Sequence, residues 1–182
     1  MSSIVTAKTI LVLGDSISAA YNLNKIEDGW VYLLQQRLPN HKIINAAISG
    51  DTTTGGLNRL PQLLTEYEPQ IVIIELGGND GLRGTNLNEV KNNLTTMINL
   101  TKKIDAKVLL AAVQLPPNYG VSYNQKFSQI YKDVAQSENV ALTQILDDLD
   151  ISMIQADGIH PTEQAQSLLM QNIYTGLKDL LE

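Results

Sequence analysis

Thr9-Ile10-Leu11-Val12-Leu13-Gly14-Asp15-Ser16-Ile17-Ser18 is the stretch on which the reading of this chain turns. Its first five residues are β-branched or aliphatic without alternation, as expected of a parallel strand covered on both faces. Glycine then allows a tight turn, and a serine hydroxyl arrives at the strand's carboxyl end. In open α/β sheets ligands bind beyond the carboxyl ends of the strands, so this is where chemistry is to be sought.

Three runs of the same kind follow, Lys42-Ile43-Ile44-Asn45, Ile71-Val72-Ile73-Ile74-Glu75 and Lys107-Val108-Leu109-Leu110-Ala111, with a weaker fifth at Val140-Ala141-Leu142. Between them apolar residues recur at helical spacing: Trp30, Leu33, Leu34 and Leu38; Val90, Leu94, Met97 and Ile98; then Tyr123, Phe127, Ile130, Tyr131 and Val134. A last amphipathic stretch runs from Ala165 to Leu180, and Pro161 sits where its first turn begins. Leu57 to Tyr67 shares the spacing, but Pro61 lacks a backbone donor, which predicts a short helix or one starting near the proline. Strands alternating with helices predict a three-layer α/β/α sandwich on a mainly parallel sheet.

With 182 residues, no repeat and no Gly/Ser linker, one domain spanning residues 1–182 is expected. Nineteen acidic and thirteen scattered basic residues leave a net charge of -6, which offers no footprint for a phosphate backbone and argues against nucleic acid as a partner. The absence of cysteine rules out disulfides, thiolate metal sites and a Cys nucleophile. The run Thr9 to Leu13, with Ile4 and Val5 before it, is too short to span a bilayer and lacks a basic leader and a cleavage motif. A soluble chain without stable membrane insertion is therefore expected, with monomer as the default state.

Two more polar turns follow strands, Ser49-Gly50-Asp51 and Gly77-Gly78-Asn79-Asp80-Gly81, so three strands deliver such turns to one rim. Near the end, Asp157-Gly158-Ile159-His160-Pro161 sets a carboxylate three residues before a histidine, close enough for one loop to align it with Nδ1. The other histidine, His41, follows Pro39-Asn40 and reads as a solvated loop residue, which leaves His160 as the candidate base. Each motif alone has a plainer reading, since Gly-Asp-Ser and Asp-x-x-His also serve as turns and helix caps. Together they supply a nucleophile, a base, an orienting acid and oxyanion donors.

Two other readings remain open: a non-catalytic module binding a small ligand at the same rim, and a carbohydrate deacetylase or acyltransferase with the same triad. No His/Asp/Glu cluster has ligand spacing, and the acidic run Asp147, Asp148 and Asp150 reads as a solvated loop. No metal and no cofactor are expected.

Four blocks occur in order: Gly14-Asp15-Ser16-Ile17, Gly50, Gly78-Asn79-Asp80 and Asp157-x-x-His160. In them the chain resembles the SGNH hydrolases, also called GDSL esterases and lipases, with Ile17 where the signature usually has Leu. Longer matches at 45–52, 75–84 and Leu115-Pro116-Pro117-Asn118-Tyr119-Gly120 resemble the bacterial thioesterase, lysophospholipase and arylesterase group within that family. The resemblance implies a five-stranded parallel sheet in flavodoxin-like order, and a serine hydrolase acting on small acyl esters or thioesters. It implies Ser16 as nucleophile, His160 and Asp157 completing a triad, and an oxyanion hole from Ser16, Gly50 and Asn79. It also implies an acyl groove along Asp80, Gly81, Leu82, Leu115, Pro116, Tyr119 and Ile159, and a periplasmic or secreted location.

Overall fold

A computed structural model describes residues 6–182; Ile4 and Val5 lie outside the described residues. Among the described residues five strands form one sheet: β1 Thr9–Gly14, β2 Lys42–Asn45, β3 Ile71–Glu75, β4 Lys107–Ala112 and β5 Ala141–Gln144. All neighbours are parallel and the order is β2-β1-β3-β4-β5, the flavodoxin-like arrangement. The β-branched runs in the sequence account for this: β3 is buried along its whole length and β1 nearly so, whereas the edge strands β2 and β5 are only half covered.

The described residues also form six α-helices: α1 Trp30–Arg37, α2 Thr53–Tyr67, α3 Gly78–Arg83, α4 Leu87–Lys102, α5 Val121–Glu138 and α6 Gln166–Leu177. The helices α1 and α6 pack together on one face, and α2, α4 and α5 form a row on the other. Their buried stripes match the sequence spacing: Trp30 and Leu34 on α1, Val90, Leu94 and Met97 on α4, Phe127, Tyr131 and Val134 on α5, and Leu169, Ile173 and Leu177 on α6. Gly29 offers no side chain to cap α1, so the buried Gln166 of α6 accepts the Trp30 N–H at 3.1 Å instead. Among the described residues no helix is long and apolar enough to cross a membrane.

Three expectations are corrected. The helix α2 is neither short nor begun at the proline: it runs fifteen residues from an N-cap at Thr52, whose hydroxyl accepts the Gly55 N–H at 3.2 Å. Pro61 lies on its exposed face, where water can serve the carbonyl that the ring leaves unpaired, while Gly56, Leu60 and Leu64 are buried on the other. The glycine-dense segment after β3 is not a plain turn but opens the short helix α3. His41 is buried rather than solvated; its Nδ1 accepts the Lys8 N–H at 3.2 Å, and burial followed by the charge of Lys8 lowers its pKa.

Candidate active site

Parallel pairing sets Gly14 level with Glu75, so the turns that leave β1 and β3 start side by side. This is the switch point of the sheet, where the chain runs outward in opposite directions from β1 and β3. Ser16 stands in the first turn and Asn79 in the first turn of α3. Gly77 makes the second turn possible with φ of 118°, and a Cβ there would run into the Tyr131 hydroxyl. That hydroxyl donates to the Leu76 carbonyl at 2.9 Å and holds the end of β3 in place.

The loop from 154 to 162 brings His160 across the rim. An antiparallel bridge between Ile154 and Pro161 closes it, with Gln155 N–H giving to the His160 carbonyl at 2.7 Å and Thr162 N–H giving to the Met153 carbonyl at 2.7 Å. Pro161 thus stands in the bridge, and the last helix begins later, through a 3-10 turn at Glu163–Ala165. His160 Nε2 lies 2.9 Å from Ser16 Oγ, and His160 Nδ1 lies 2.6 Å from Asp157 Oδ2. The second Asp157 oxygen accepts the N–H groups of Ile159 at 2.9 Å and His160 at 3.0 Å. Burial works against the charge on Asp157, but these hydrogen bonds outweigh it and its pKa lies below the ordinary carboxylate value. Tyr21 lies against the imidazole, with ring centroids 4.5 Å apart.

Gly50, with φ of 81°, sits in a conformation that suits glycine, and its carbonyl accepts from Arg83 at 3.1 Å. Asn79 Nδ2 donates to the Asp51 carbonyl at 2.9 Å, which places the amide beside Gly50, and to Asp15 Oδ2 at 3.1 Å. Among the described residues the backbone N–H groups of Ser16 and Gly50 have no protein acceptor. Arg59 ties the turns together, pairing with Asp51 at 2.8 Å and donating to the carbonyls of Gly14 and Ala46.

A cavity of about 470 Å³ opens beside Ser16 and His160, a size usual for small-molecule sites. Leu82, Leu115, Pro116 and Ile159 line it, as expected. Asp80, Gly81 and Tyr119 do not. Asp80 is buried under α3, where its carboxylate accepts the Thr53 N–H and hydroxyl at 2.8 Å each and caps α2. Gly81 faces inward, so close that an added Cβ would lie 2.7 Å from Leu115 and 2.9 Å from Phe127. Tyr119 braces α3 from behind by donating to the Leu82 carbonyl at 3.2 Å. The expectation that these three line the groove followed the family resemblance; in this chain Asp80 points to the start of α2, Gly81 packs against Leu115 and Phe127, and Tyr119 reaches the Leu82 carbonyl instead.

Sequence reading missed most of the apolar wall: Val113, Leu146, Leu149, Ile151 and Ile154 also line the cavity. Their signal was faint, an aliphatic residue every few positions in loops beyond β4 and β5. It also passed over Glu75, whose charge at the end of an otherwise apolar strand was visible. Glu75 is wholly buried; burial, with the neighbouring Asp15 charge, pushes its carboxyl well above the ordinary value. Burial likewise pushes Asp15 up to about 6, against the lowering effect of the Ile17 N–H, His160 and Asn79. Among the described residues no three His, Cys, Asp or Glu side chains are gathered for a metal ion.

Residues 12–168 match the profile of the GDSL-like Lipase/Acylhydrolase family. The chain is 50% identical over 182 residues to Esterase TesA of Pseudomonas aeruginosa, an alignment covering 96% of this chain and 90% of the relative. It is 40% identical over 167 residues to the Thioesterase 1/protease 1/lysophospholipase L1 of Escherichia coli, covering 90% and 80%. Among solved structures, the psychrotrophic esterase EstA from Pseudoalteromonas sp., inhibited by monoethylphosphonate, superposes with a TM-score of 0.89 at 39% identity, covering 96% of this chain and 98% of that one. By sequence and by fold, the chain belongs to the GDSL-like Lipase/Acylhydrolase family.

Proposed function

We propose that this chain is a serine esterase that hydrolyses small acyl esters, and acyl thioesters or lysophospholipids by the same route, through an acyl-enzyme on Ser16. The observation that carries the reading is the unbroken hydrogen-bonded line from Ser16 Oγ to His160 to Asp157, at 2.9 and 2.6 Å. A binding module has no use for that line, and the aliphatic cavity wall suits a hydrocarbon chain better than a sugar.

Ser16 Oγ attacks the acyl carbonyl carbon while His160 Nε2 takes its proton, and Asp157 holds the ring with its other proton on Nδ1. The carbonyl oxygen becomes an oxyanion facing the N–H groups of Ser16 and Gly50 and the Asn79 amide. The tetrahedral species collapses, the leaving alkoxide or thiolate takes the proton from Nε2, and the acyl group stays on Ser16. Water then attacks the acyl-enzyme, passes a proton to Nε2, and the acid leaves as that proton returns to Ser16 Oγ. The same reading takes the chain as a monomer at work in the periplasm or outside the cell.

The test is Ser16→Ala on a short p-nitrophenyl ester, with mass spectrometry after organophosphonate treatment. Activity should vanish, and a single adduct on the Ser16 peptide should form only in the unaltered protein. A folded Ser16→Ala protein with undiminished turnover would end the proposal.

A further inference from the structure

Behind the rim lies a pair of carboxyls that the reaction above leaves unused. Asp15 is 2% exposed and Glu75 has no exposure at all. Asp15 Oδ1 accepts the Ile17 N–H at 3.1 Å, while Oδ2 accepts from Asn79 Nδ2 at 3.1 Å. The Asp15 N–H gives to Glu75 Oε2 at 3.3 Å, an oxygen that also accepts the Ser18 hydroxyl at 2.7 Å. One carboxylate therefore touches both the turn that carries Ser16 and the amide that stands opposite.

A terminal amide fits its site in two orientations related by a half-turn, and its neighbours decide between them. Both neighbours of Asn79 Nδ2, Asp15 Oδ2 and the Asp51 carbonyl, are acceptors. Turning the amide would set its oxygen against two acceptors, one of them a carboxylate only 2% exposed, where an unpaired polar contact is costly. A neutral Asp15 has a hydrogen to give, so its O–H can donate to the oxygen of a turned amide, and only the uncharged Asp51 carbonyl then opposes the turn.

We propose that Asp15 is a positioning residue for ester cleavage, its carboxylate holding one Nδ2 hydrogen of Asn79 so that the other, which rests on the Asp51 carbonyl, can be shared with the acyl oxygen. This rests on the reading of Asn79 as an oxyanion donor. The charged and titratable groups facing Asp15 are Glu75 from the end of β3, Asp51 from the turn after β2, His160 from the C-terminal loop and Tyr131 from α5. Burial and then the charge of Asp51 favour the neutral form. The Ile17 N–H, His160 and Asn79 favour the charged one. Protonation of Asp15 then removes an oxyanion donor without touching the Ser16 and His160 contact.

A double-mutant cycle with Asp15→Asn and Asn79→Ala tests this, because it isolates the part of one residue's effect that runs through another. Asp15→Asn keeps an oxygen for the Ile17 N–H but turns N–H groups toward Asn79. It should lower kcat by up to about 10²–10³-fold with little change in KM, the upper limit being the loss of the donor itself. In the Asn79→Ala background the same change should cost less than about threefold. A second measurement leaves Asp15 in place: the acid limb of kcat/KM should contain two ionisations in the unaltered protein and one in Asn79→Ala. A neutral Asp15→Asn, an equal cost in both backgrounds, or the same acid limb in both proteins overturns the inference while the role of Asn79 stands. A fully active Asn79→Ala protein sinks the oxyanion reading of Asn79, and this inference with it.

Discussion

Replacing Asp157 by Asn keeps the shape of the site and changes where protons sit. One amide orientation keeps its oxygen on the Ile159 and His160 N–H groups, which lie 2.9 and 3.0 Å from Asp157 Oδ1. The other gives up both bonds, at about 0.5–1.5 kcal/mol each, so the first is favoured by about 1–3 kcal/mol. In the favoured orientation Nδ2 faces His160 Nδ1, which must then accept, and the ring proton moves to Nε2, 2.9 Å from Ser16 Oγ. A protonated Nε2 cannot take the serine's hydrogen. The preference alone disfavours the competent tautomer by about 10- to 10²-fold. Lost stabilisation of the imidazolium adds to this, toward the roughly 10⁴-fold fall known for the same change in a buried triad. The Asp157 side chain is 38% exposed, so solvent screening brings the expected loss to about 10³-fold. Asp157→Ala leaves the ring free to choose its tautomer with water and should be the less impaired of the two. Initial rates on a short p-nitrophenyl ester, with thermal melts to establish folding, decide the matter. An Asp157→Asn protein that keeps more than about a tenth of the activity, or outperforms Asp157→Ala, would falsify this account of the loop.

Asp80→Ala should cost about 3 kcal/mol in urea unfolding, because it strips the buried Thr53 N–H of a charged acceptor at the start of α2. Gly77→Ala should lower the melting temperature through strain of about 1–3 kcal/mol at its φ of 118°, and by crowding Tyr131. Glu75→Gln should raise stability at neutral pH, the reverse of what the loss of a carboxylate usually does. The folded protein holds a proton on Glu75 that the unfolded chain releases above its ordinary value of 4.5, so the unaltered protein loses stability as pH climbs through that point. Melts between about pH 4 and pH 8 should show the two proteins diverging as pH rises, and parallel curves would refute the assignment.

Most of the fold, and the meeting of the groups proposed to react, were legible because they depend on local pattern. Continuous aliphatic runs such as Ile71 to Ile74 have few ways to be buried other than as parallel strands, and the helical stripes between them leave few alternative layers. Asp157 and His160 are three residues apart, so a single loop can pair them whatever the rest of the molecule does. Gly14, Gly50 and Gly77 mark turns at strand ends, and the parallel sheet brings those ends to one rim.

What tertiary structure alone decided is which side of each element a residue presents, and to what. Asp80 and Asn79 are neighbours in sequence, yet the pitch of α3 sends one to the start of α2 and the other to the rim. His41 looks like a surface residue in sequence and becomes a buried acceptor for Lys8, 33 positions away. The pairing of Asp15 with Glu75 crosses 60 positions and exists only because β1 and β3 lie side by side. Sequence spacing carries the period of a strand or helix. Long-range packing in the folded chain fixes its rotation and its partners, and the apolar wall from Val113 to Ile154 had no period of its own to announce it.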